Sequence, residues 1–298
     1  MSTFIFRHFI CTFARGMKSV LCIFRATCYS PRMVERDEAI LCAVAERLTE
    51  SGYRVNLIHE EDLAPDTPMP DIVLHMARST HALDQLYEWS KAGCRVINSP
   101  QGVRGVERAS LAEWCYEHNI PTPKTWIVMT SAPRVDEIVY PCWVKRCGTC
   151  AQSADDVCRA DSKEEYMQRI ENFRKRHIEK VVVMEHLEGT CVKFYAVPKV
   201  GFSYSIPTKE LGYDKFALSP THKETDSKEG YDTQHASFKT SLKDYNYGRY
   251  TLLDVFGGDV IIGADGVARL IDLNDWPSFS ACRKEAAEAI VQLVIRNS

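Results

Sequence analysis

Short apolar runs alternate with amphipathic stretches along the first hundred residues. A continuous apolar run predicts a buried strand, and apolar residues at every third or fourth position predict a helix. The predicted strands are 19–24, 53–58, 71–75 and 95–97, and the predicted helices are 35–51 and 81–92. Strands that alternate with helices favour a parallel α/β sheet. Asn98-Ser99-Pro100 ends this pattern, and we place a domain boundary there.

The pattern is mixed after residue 100. The predicted strands are 125–129, 142–145, 180–187 and 192–197. Helices are predicted at 105–118, 245–255 and 281–295, and another begins at Asp161 or Ser162 and ends at about residue 177. From 199 to about 243 the chain is polar and has no sustained period. Structureless stretches of this length are uncommon in compact domains, so we predict a long functional loop that selects the substrate.

Residues 257–279 contain two apolar runs on either side of Ala264-Asp265-Gly266. Asp-Gly between alternating hydrophobic residues predicts a hairpin with a type I′ turn, in which both central residues have positive φ. This register places Asp259 directly opposite Asp272 and puts Asn274 on the same face.

Carboxylates that face each other destabilise a hairpin unless a cation lies between them. Two carboxylates and an amide oxygen suit Mg²⁺, so we predict a magnesium site at Asp259, Asp272 and Asn274. The same register puts Ile261 and Leu270 on this face, which predicts a half-buried floor. The alternative is an exposed hairpin with an acidic face and no metal.

Composition narrows the class of protein. The 298 residues are 45% hydrophobic and 26% charged, as in ordinary globular proteins. A formal net charge of −3 gives no general attraction to nucleic acid or to an anionic membrane. The 12 cysteines are scattered along a long chain, which favours reduced thiols in the cytoplasm over a disulfide framework.

Residues 1–16 are apolar but interrupted by Arg7, His8 and Arg15, and they are too short to span a bilayer. We interpret them as an extension or a start-site artefact, with Met17 as the natural start; a weak membrane-surface anchor is the alternative. No later apolar run approaches membrane-spanning length.

Four cysteines near the middle of the chain suggest a second kind of site. They are Cys142, Cys147, Cys150 and Cys158. Zinc or iron–sulfur ligation needs four converging thiolates, and strong zinc sites usually show two close pairs rather than one. Redox sensitivity of Cys147 and Cys150 is the other alternative.

Lys145 ends a predicted strand and precedes a loop with Gly148, Thr149 and Ser153. A fixed cation followed by accessible backbone N–H groups is typical of phosphate binding. Five segments in this order resemble the ATP-grasp family: 98–100, 120–125, 143–145, 181–197 and 257–277. The last segment is most similar to inositol-trisphosphate kinases, and ribosomal-protein glutamate ligases are a near second.

The resemblance covers about 95–280 and implies a fold. It implies an α/β protein with an N-terminal parallel domain at 17–100 and a two-lobed ATP-grasp domain at 101–298. The small lobe would cover about 122–182, and the large lobe about 183–298.

Roles for individual residues follow from the same resemblance. Lys145 and Lys193 would be catalytic, and Asp259, Asp272 and Asn274 would hold one or two Mg²⁺. The residues that would bind ATP are Arg108, Lys145, Met184, Glu185, Leu187, Glu188 and Lys193.

This sequence also departs from the family. The phosphate loop has a single glycine, Gly148. Arg108 replaces a lysine, which changes the geometry of its contacts. The ribose carboxylate assigned to Glu188 varies in position within the family.

The implied reaction is phosphoryl transfer from MgATP, in which positioning and charge neutralisation are the main contributions of the protein. A carboxylate acceptor would give an acylphosphate that an amine attacks, which makes the protein a carboxylate–amine ligase, our preferred interpretation. A hydroxyl acceptor would make it a kinase. A non-catalytic nucleotide-binding regulatory protein is the third alternative. We expect a small-molecule or peptide acceptor, no nucleic acid or membrane partner and, by analogy only, a homodimer.

Overall fold

A computed structural model describes residues 16–30, 33–148, 151–210 and 252–296. Residues 149 and 150 of the phosphate loop, including Cys150, lie outside these ranges, and three further sequence predictions lie wholly or partly outside them. They concern the N-terminal extension, the loop beyond residue 210, and the part of the 245–255 helix that precedes residue 252.

The N-terminal unit is the parallel α/β sheet that the alternating pattern predicts. Its strands are β1 (Ser19–Phe24), β2 (Arg54–His59), β3 (Ile72–His75) and β4 (Arg95–Ile97), in the order β2-β1-β3-β4. Its helices are α1 (Val34–Glu50) and α2 (Thr80–Lys91). Ser79 caps α2 by accepting a hydrogen bond from Ala82 N, which explains where this helix begins.

The helix predicted at 105–118 forms, although it begins at residue 108, and a separate short helix that was not predicted precedes it. The two helices are α3 (Pro100–Gly105) and α4 (Arg108–Glu117). Ser99 caps α3, and Pro100 occupies its first turn. Gly105 lies at the break, where a residue of low helix propensity is expected. The break places Arg108 at the beginning of α4.

The second sheet is antiparallel and has the order β5-β8-β6-β7. Its strands are β5 (Thr125–Met129), β6 (Cys142–Arg146), β7 (Val157–Ala160) and β8 (Lys180–Glu185). Helix α5 (Lys163–Lys175) begins after Ser162, whose side chain accepts a hydrogen bond from Glu165 N. Because β8 lies wholly in this sheet, we propose that the two lobes meet after Glu185.

The third sheet is antiparallel and has the order β10-β9-β11-β12. Its strands are β9 (Thr190–Val197), β10 (Phe202–Pro207), β11 (Phe256–Ile262) and β12 (Ala268–Asp275), and helix α6 (Arg283–Arg296) follows. Strand β10 contradicts the structureless loop predicted from residue 199. Residues 252–255 are not helical, so the predicted 245–255 helix is wrong over that part.

Asp259 pairs with Asp272, as predicted, although the predicted turn is wrong. Ile262 pairs with Ala268, so residues 263–267 form the connection, and Gly266 has positive φ (72°) whereas Asp265 does not. A bulge next to Asp259 compensates for the longer loop and restores the pairing.

The bulge changes which residues share a face. Val260 pairs with Leu270, and both side chains are buried in one core cluster. The prediction that Leu270 lies on the face of the aspartates is therefore wrong. Ile271 is the extra residue of the bulge, which leaves its carbonyl free to accept a side-chain hydrogen bond.

The N-terminal unit packs closely against the third sheet. One core cluster joins α1, β1 and β3 to β9 and α6, with Trp276 and Phe279 completely buried in it. Arg78 follows β3 and pairs with Asp275 at the end of β12, with 2.5 Å between Nη2 and Oδ1. Asn98 accepts hydrogen bonds from the N–H groups of residues 254 and 255. These contacts fix the end of β12, where Asn274 lies.

Within the described ranges, no helix combines the length and the hydrophobicity that a membrane span requires.

Candidate functional site

Lys145 is a buried cation between the second and third sheets. It lies near the end of β6 and is 7% exposed. Its Nζ donates a hydrogen bond to the carbonyl of Ile271 at 3.0 Å and lies 3.6 Å from the Sδ of Met184. Burial lowers the pKa of Lys145 to about 8; Arg108 contributes in the same direction, and Asp272 opposes it.

Lys193 and Asp259 are cross-strand partners on β9 and β11. Nζ of Lys193 lies 2.7 Å from Oδ1 and 2.8 Å from Oδ2 of the carboxylate. Burial raises the pKa of Asp259 above its ordinary value, although Lys193 acts in the opposite direction. A cation does therefore lie beside the paired carboxylates, and in this structure it is an ammonium group.

Asp272 has a different environment. Burial favours its neutral form, but the charges of Arg108, Lys145 and Lys193 outweigh burial and lower its pKa. The side chain of Asn274 also hydrogen-bonds to this carboxylate. Nε of Arg108 lies 3.9 Å from Oδ1 of Asp272. The three predicted metal ligands are thus close together, and Asp272 is ionised at neutral pH.

A cleft lies beside this charged cluster. It has charged groups at one end and mainly apolar walls, and it extends between α4, the second sheet and the hairpin. The residues that line it are Arg108, Leu111, Ala112, Cys115, Thr122, Thr125, Lys145, Val182, Met184, Leu270, Ile271 and Asp272. Three of the residues predicted to bind ATP lie here: Arg108, Lys145 and Met184.

Apart from Met184, the sequence did not assign the apolar residues of this lining to the cleft. Leu270 and Ile271 directly precede Asp272, so their place beside the site follows from the hairpin, but the bulge that orients the Ile271 carbonyl has no local sequence signal. Thr122 and Thr125 lie around the Pro-rich turn that the sequence marked only as a rigid turn.

Four residues predicted to bind ATP lie outside this lining: Lys193, which pairs with Asp259, and Glu185, Leu187 and Glu188. The carboxylate of Glu185 accepts a hydrogen bond from Lys124 N at 3.2 Å, so it is used within the protein. Leu187 is half-buried. The side chain of Glu188 is 95% exposed and lies 3.3 Å from Nε2 of His186. The proposed contacts of the last three residues with adenine and ribose stay predictions.

A buried carboxylate holds part of the phosphate loop. Asp156 accepts hydrogen bonds from Gln152 N at 2.6 Å and from Ser153 N at 3.1 Å, and it pairs with Arg176. Burial raises the pKa of Asp156, but these hydrogen bonds and Arg176 outweigh burial and lower it. These contacts anchor the loop segment 151–156. An anchored loop agrees with the sequence, because a loop with a single glycine has little backbone freedom.

The described residues give no support to the cysteine metal site. No group of three or more His, Cys, Asp or Glu side chains within the described ranges is arranged to hold a metal ion. Burial raises the pKa of Cys142, Cys147 and Cys158, which disfavours thiolates. Cys150 lies outside the described residues. The set of Asp259, Asp272 and Asn274 is not such a group, because only two of its side chains are acidic and the third is an amide.

The hairpin depends on the absence of a side chain at Gly258. A Cβ there would overlap the carbonyl oxygen of Asp272 and lie 2.9 Å from the ring of Phe194. We expect Gly258→Ala to lower the free energy of unfolding by about 1–3 kcal/mol, because the well-packed core cannot accept the methyl group. Urea denaturation measures this, with Gly105→Ala as the control for a methyl group added in open space without positive-φ strain. An unchanged stability of Gly258→Ala would contradict the close approach.

The pKa of Lys145 predicts how stability changes with pH. Its folded-state pKa of about 8 lies below the ordinary value of 10.5, so between these pH values the unfolded chain binds more protons. Stability therefore rises with pH across this window. We expect wild type to gain ~1–2 kcal/mol relative to Lys145→Met between about pH 7.5 and about pH 9.5. Urea denaturation of both proteins checks this, and a constant difference would refute it.

Comparison with known proteins bears on the fold. No protein-family model matches the chain, and no curated protein matches its sequence. Solved structures do match over nearly the whole length. D-alanyl-alanine synthetase A from Vibrio cholerae has a TM-score of 0.71 and 13% identity, with 95% of this chain and 99% of that chain covered.

Two further structures are described as ATP-grasp proteins. A RimK domain protein ATP-grasp from Sphaerobacter thermophilus has a TM-score of 0.66 and 14% identity, over 93% of this chain and 99% of that one. The ATP-grasp ligase PsnB, solved with a minimal precursor, has a TM-score of 0.62 and 16% identity, over 95% of this chain and 100% of that one. The parallel N-terminal sheet, the two antiparallel sheets and these likenesses together show that the chain has the ATP-grasp fold.

Proposed function

We propose that this chain binds MgATP in the cleft and transfers the γ-phosphoryl group to a carboxylate, forming an acylphosphate that an amine attacks. One observation carries this proposal. Arg108, Lys145 and Asp272 line a cleft with mainly apolar walls, and the Lys193–Asp259 pair lies next to Asp272. These residue types suit a ligand with a flat apolar end and a polyanionic end, and the free volume of about 20 Å³ means that the cleft must widen to admit it.

Lys145 and Arg108 are the residues that we assign to the phosphates. Lys145 is held by the Ile271 carbonyl, so its charge is positioned before any ligand arrives. Arg108 donates from Nη1 to the carbonyl of Arg146 at 3.1 Å, which fixes its guanidinium beside the phosphate loop. Lys193 is the second catalytic cation that we propose.

The adenine would lie at the apolar end of the cleft. The backbone of Met184 is paired with strands on both sides, at Thr125 and Trp143. We therefore assign the side chain of Met184, which lines the cleft, to the purine. Leu270 would form the opposite wall. We keep Glu185, Leu187 and Glu188 as proposed contacts for adenine and ribose, to be formed when the segment after β8 meets the nucleotide.

Asp259, Asp272 and Asn274 fit the coordination chemistry of Mg²⁺. They supply hard oxygen donors from adjacent strands, and the lowered pKa keeps Asp272 ionised. These residues would hold one or two Mg²⁺, which when bound neutralise charge on the phosphates. The protein's part is to orient the phosphate chain and to exclude water from the buried cluster.

The names of similar structures support the ligase. One is a D-alanyl-alanine synthetase and another an ATP-grasp ligase, which was also solved with Mg and ADP. The kinase alternative rests on the hairpin sequence, and no contact among the described residues favours it. A small-molecule or peptide acceptor and a cytoplasmic location are part of the same proposal.

The reaction type can be tested by trapping. Hydroxylamine converts an acylphosphate to a hydroxamate, so we expect a suitable carboxylate, MgATP and hydroxylamine to give hydroxamate and ADP in equal amounts. Screening would use amino acids, short peptides and other small carboxylates. ADP release with a phosphorylated hydroxyl product and no hydroxamate would replace the ligase with the kinase, and no ADP release with any acceptor would support the regulatory alternative.

A further inference from the structure

The two carboxylates of the proposed metal site are not equally accessible to a cation. Asp259 has both oxygens within 2.8 Å of Nζ of Lys193. Asp272 has its nearest guanidinium nitrogen at 3.9 Å, from Arg108, and accepts a hydrogen bond from the neutral amide of Asn274. The ammonium group of Lys193 thus lies against the carboxylate of Asp259 and not against that of Asp272.

The position of Lys193 is fixed by the sheet. Lys193 and Asp259 are direct cross-strand partners, and β9 and β11 are the two central strands of the third sheet. The two side chains are 22% and 20% exposed, so solvent screens their attraction only partly. The ion pair is therefore a built feature of the sheet and differs from a transient surface contact.

A divalent cation binds Asp259 less favourably while this ammonium group stays in place. Both would contact the same carboxylate, and their mutual repulsion is strong in a partly buried site. Arg108 and Lys145 lie nearby, so the described residues of the cluster comprise three cations and two carboxylates, a balance that disfavours a free metal ion. A polyphosphate would be attracted by the same three cations.

We infer that Lys193 blocks the metal site of the free protein, and that the nucleotide removes the block by drawing the ammonium group from Asp259 onto a phosphate. This inference rests on the proposed function, since it needs a polyphosphate ligand in the cleft. The metal and the nucleotide then bind with mutual cooperativity, and by linkage each raises the affinity of the other by the same factor. No bond is made or broken; one ion pair replaces another.

The inference predicts opposite effects of one substitution. Lys193→Gln removes the blocking charge, so it should tighten the binding of a metal ion in the absence of nucleotide. The same change removes a phosphate partner, so it should weaken the binding of MgATP. A residue that served only the folding of the sheet would not produce this reversal.

Mn²⁺ binding measured by electron paramagnetic resonance, without nucleotide, tests this directly. We expect Lys193→Gln to bind Mn²⁺ roughly tenfold more tightly than wild type, which corresponds to about 1.4 kcal/mol. Lys199→Gln is the matched control, because Lys199 pairs with Asp254 at 2.6 Å away from the metal ligands, and it should not change Mn²⁺ affinity.

A double-mutant cycle separates the release of Asp259 by the Lys193 ammonium group from a general change of charge in the cluster. In an Asp259→Asn background, Lys193→Gln should give a much smaller gain in Mn²⁺ affinity, because only the repulsion by its charge is removed and no carboxylate is released. Arg108→Gln removes a charge from the same cluster without releasing Asp259, so its gain should be smaller. Circular dichroism spectra confirm that each variant is folded.

The outcomes distinguish this inference from the proposed function. If wild type binds MgATP and Lys193→Gln binds Mn²⁺ no more tightly than wild type, the block is refuted and the nucleotide site stands. An equal gain in the Asp259→Asn background also refutes the block. If wild type does not bind MgATP at all, the proposed function fails, whatever the Mn²⁺ result.

Discussion

Asp272→Asn should reduce ATP turnover by a factor of roughly 100 to 1,000, because it removes the ionised oxygen donor on which the proposed metal site depends. Asp272 is the carboxylate that its neighbours keep charged, through Arg108, Lys145 and Lys193. Asparagine has nearly the same shape but cannot neutralise a divalent cation. We expect the loss in kcat rather than in folding, measured as ADP release with the acceptor found by trapping.

Asp265→Asn is the matched control on the same hairpin. Asp265 lies in the exposed turn and pairs with Arg269 at 2.6 Å, and this pairing lowers its pKa to about 2. We expect turnover close to that of wild type. If Asp272→Asn retained wild-type turnover, or if both variants lost it equally, Asp272 would have no special part in the reaction.

Arg78→Met should destabilise the protein by about 3–5 kcal/mol, since it leaves a buried carboxylate without its cation. The side chains of Arg78 and Asp275 are 2% and 0% exposed, and the pair joins the N-terminal unit to the strand that carries Asn274. Chemical denaturation monitored by tryptophan fluorescence measures the loss. Replacing both partners by apolar residues should recover part of it, because no buried charge remains unpaired.

Arg104→Met provides a control of nearly identical geometry. Arg104 pairs with Asp84 at 2.6 Å, but the two side chains are 37% and 64% exposed. An exposed pair of this kind contributes about 0–1 kcal/mol, so the variant should be nearly as stable as wild type. Equal losses for Arg78→Met and Arg104→Met would show that burial of the Arg78–Asp275 pair is unimportant.

Local patterns predicted the N-terminal sheet well. Strands β1 and β4 have the predicted bounds, and α1 and α2 differ from the predictions by one residue at each end. These elements are buried on the faces that their apolar spacing indicates, so the pattern and the tertiary structure agree.

Strands β7 and β10 were not predicted from the sequence. Both strands lie at the edges of their sheets and are mostly half-exposed, so neither contains a run of buried apolar residues. Hydrophobic periodicity in a sequence reflects burial of one face, and a strand that is only partly buried shows little hydrophobic periodicity.

The metal ligands were predicted together for a reason that was only partly correct. The type I′ turn is absent, and the bulge beside Asp259 restores the register that the turn would have given. The contact of Lys193 with Asp259 joins residues 66 positions apart, and no local pattern specifies which strands become neighbours. The same holds for Arg78, which follows a strand of the first sheet, and Asp275, which ends a strand of the third.

The thermal unfolding midpoint of wild type with and without MgATP tests the central claim most directly. A ligand at about 100 times its Kd adds roughly 2.7 kcal/mol, which in a chain of this size raises the midpoint by roughly 5–10 °C. We predict such a shift for wild type and a much smaller one for Asp272→Asn. No shift of wild type at millimolar MgATP would contradict the nucleotide site and, with it, the proposed enzyme.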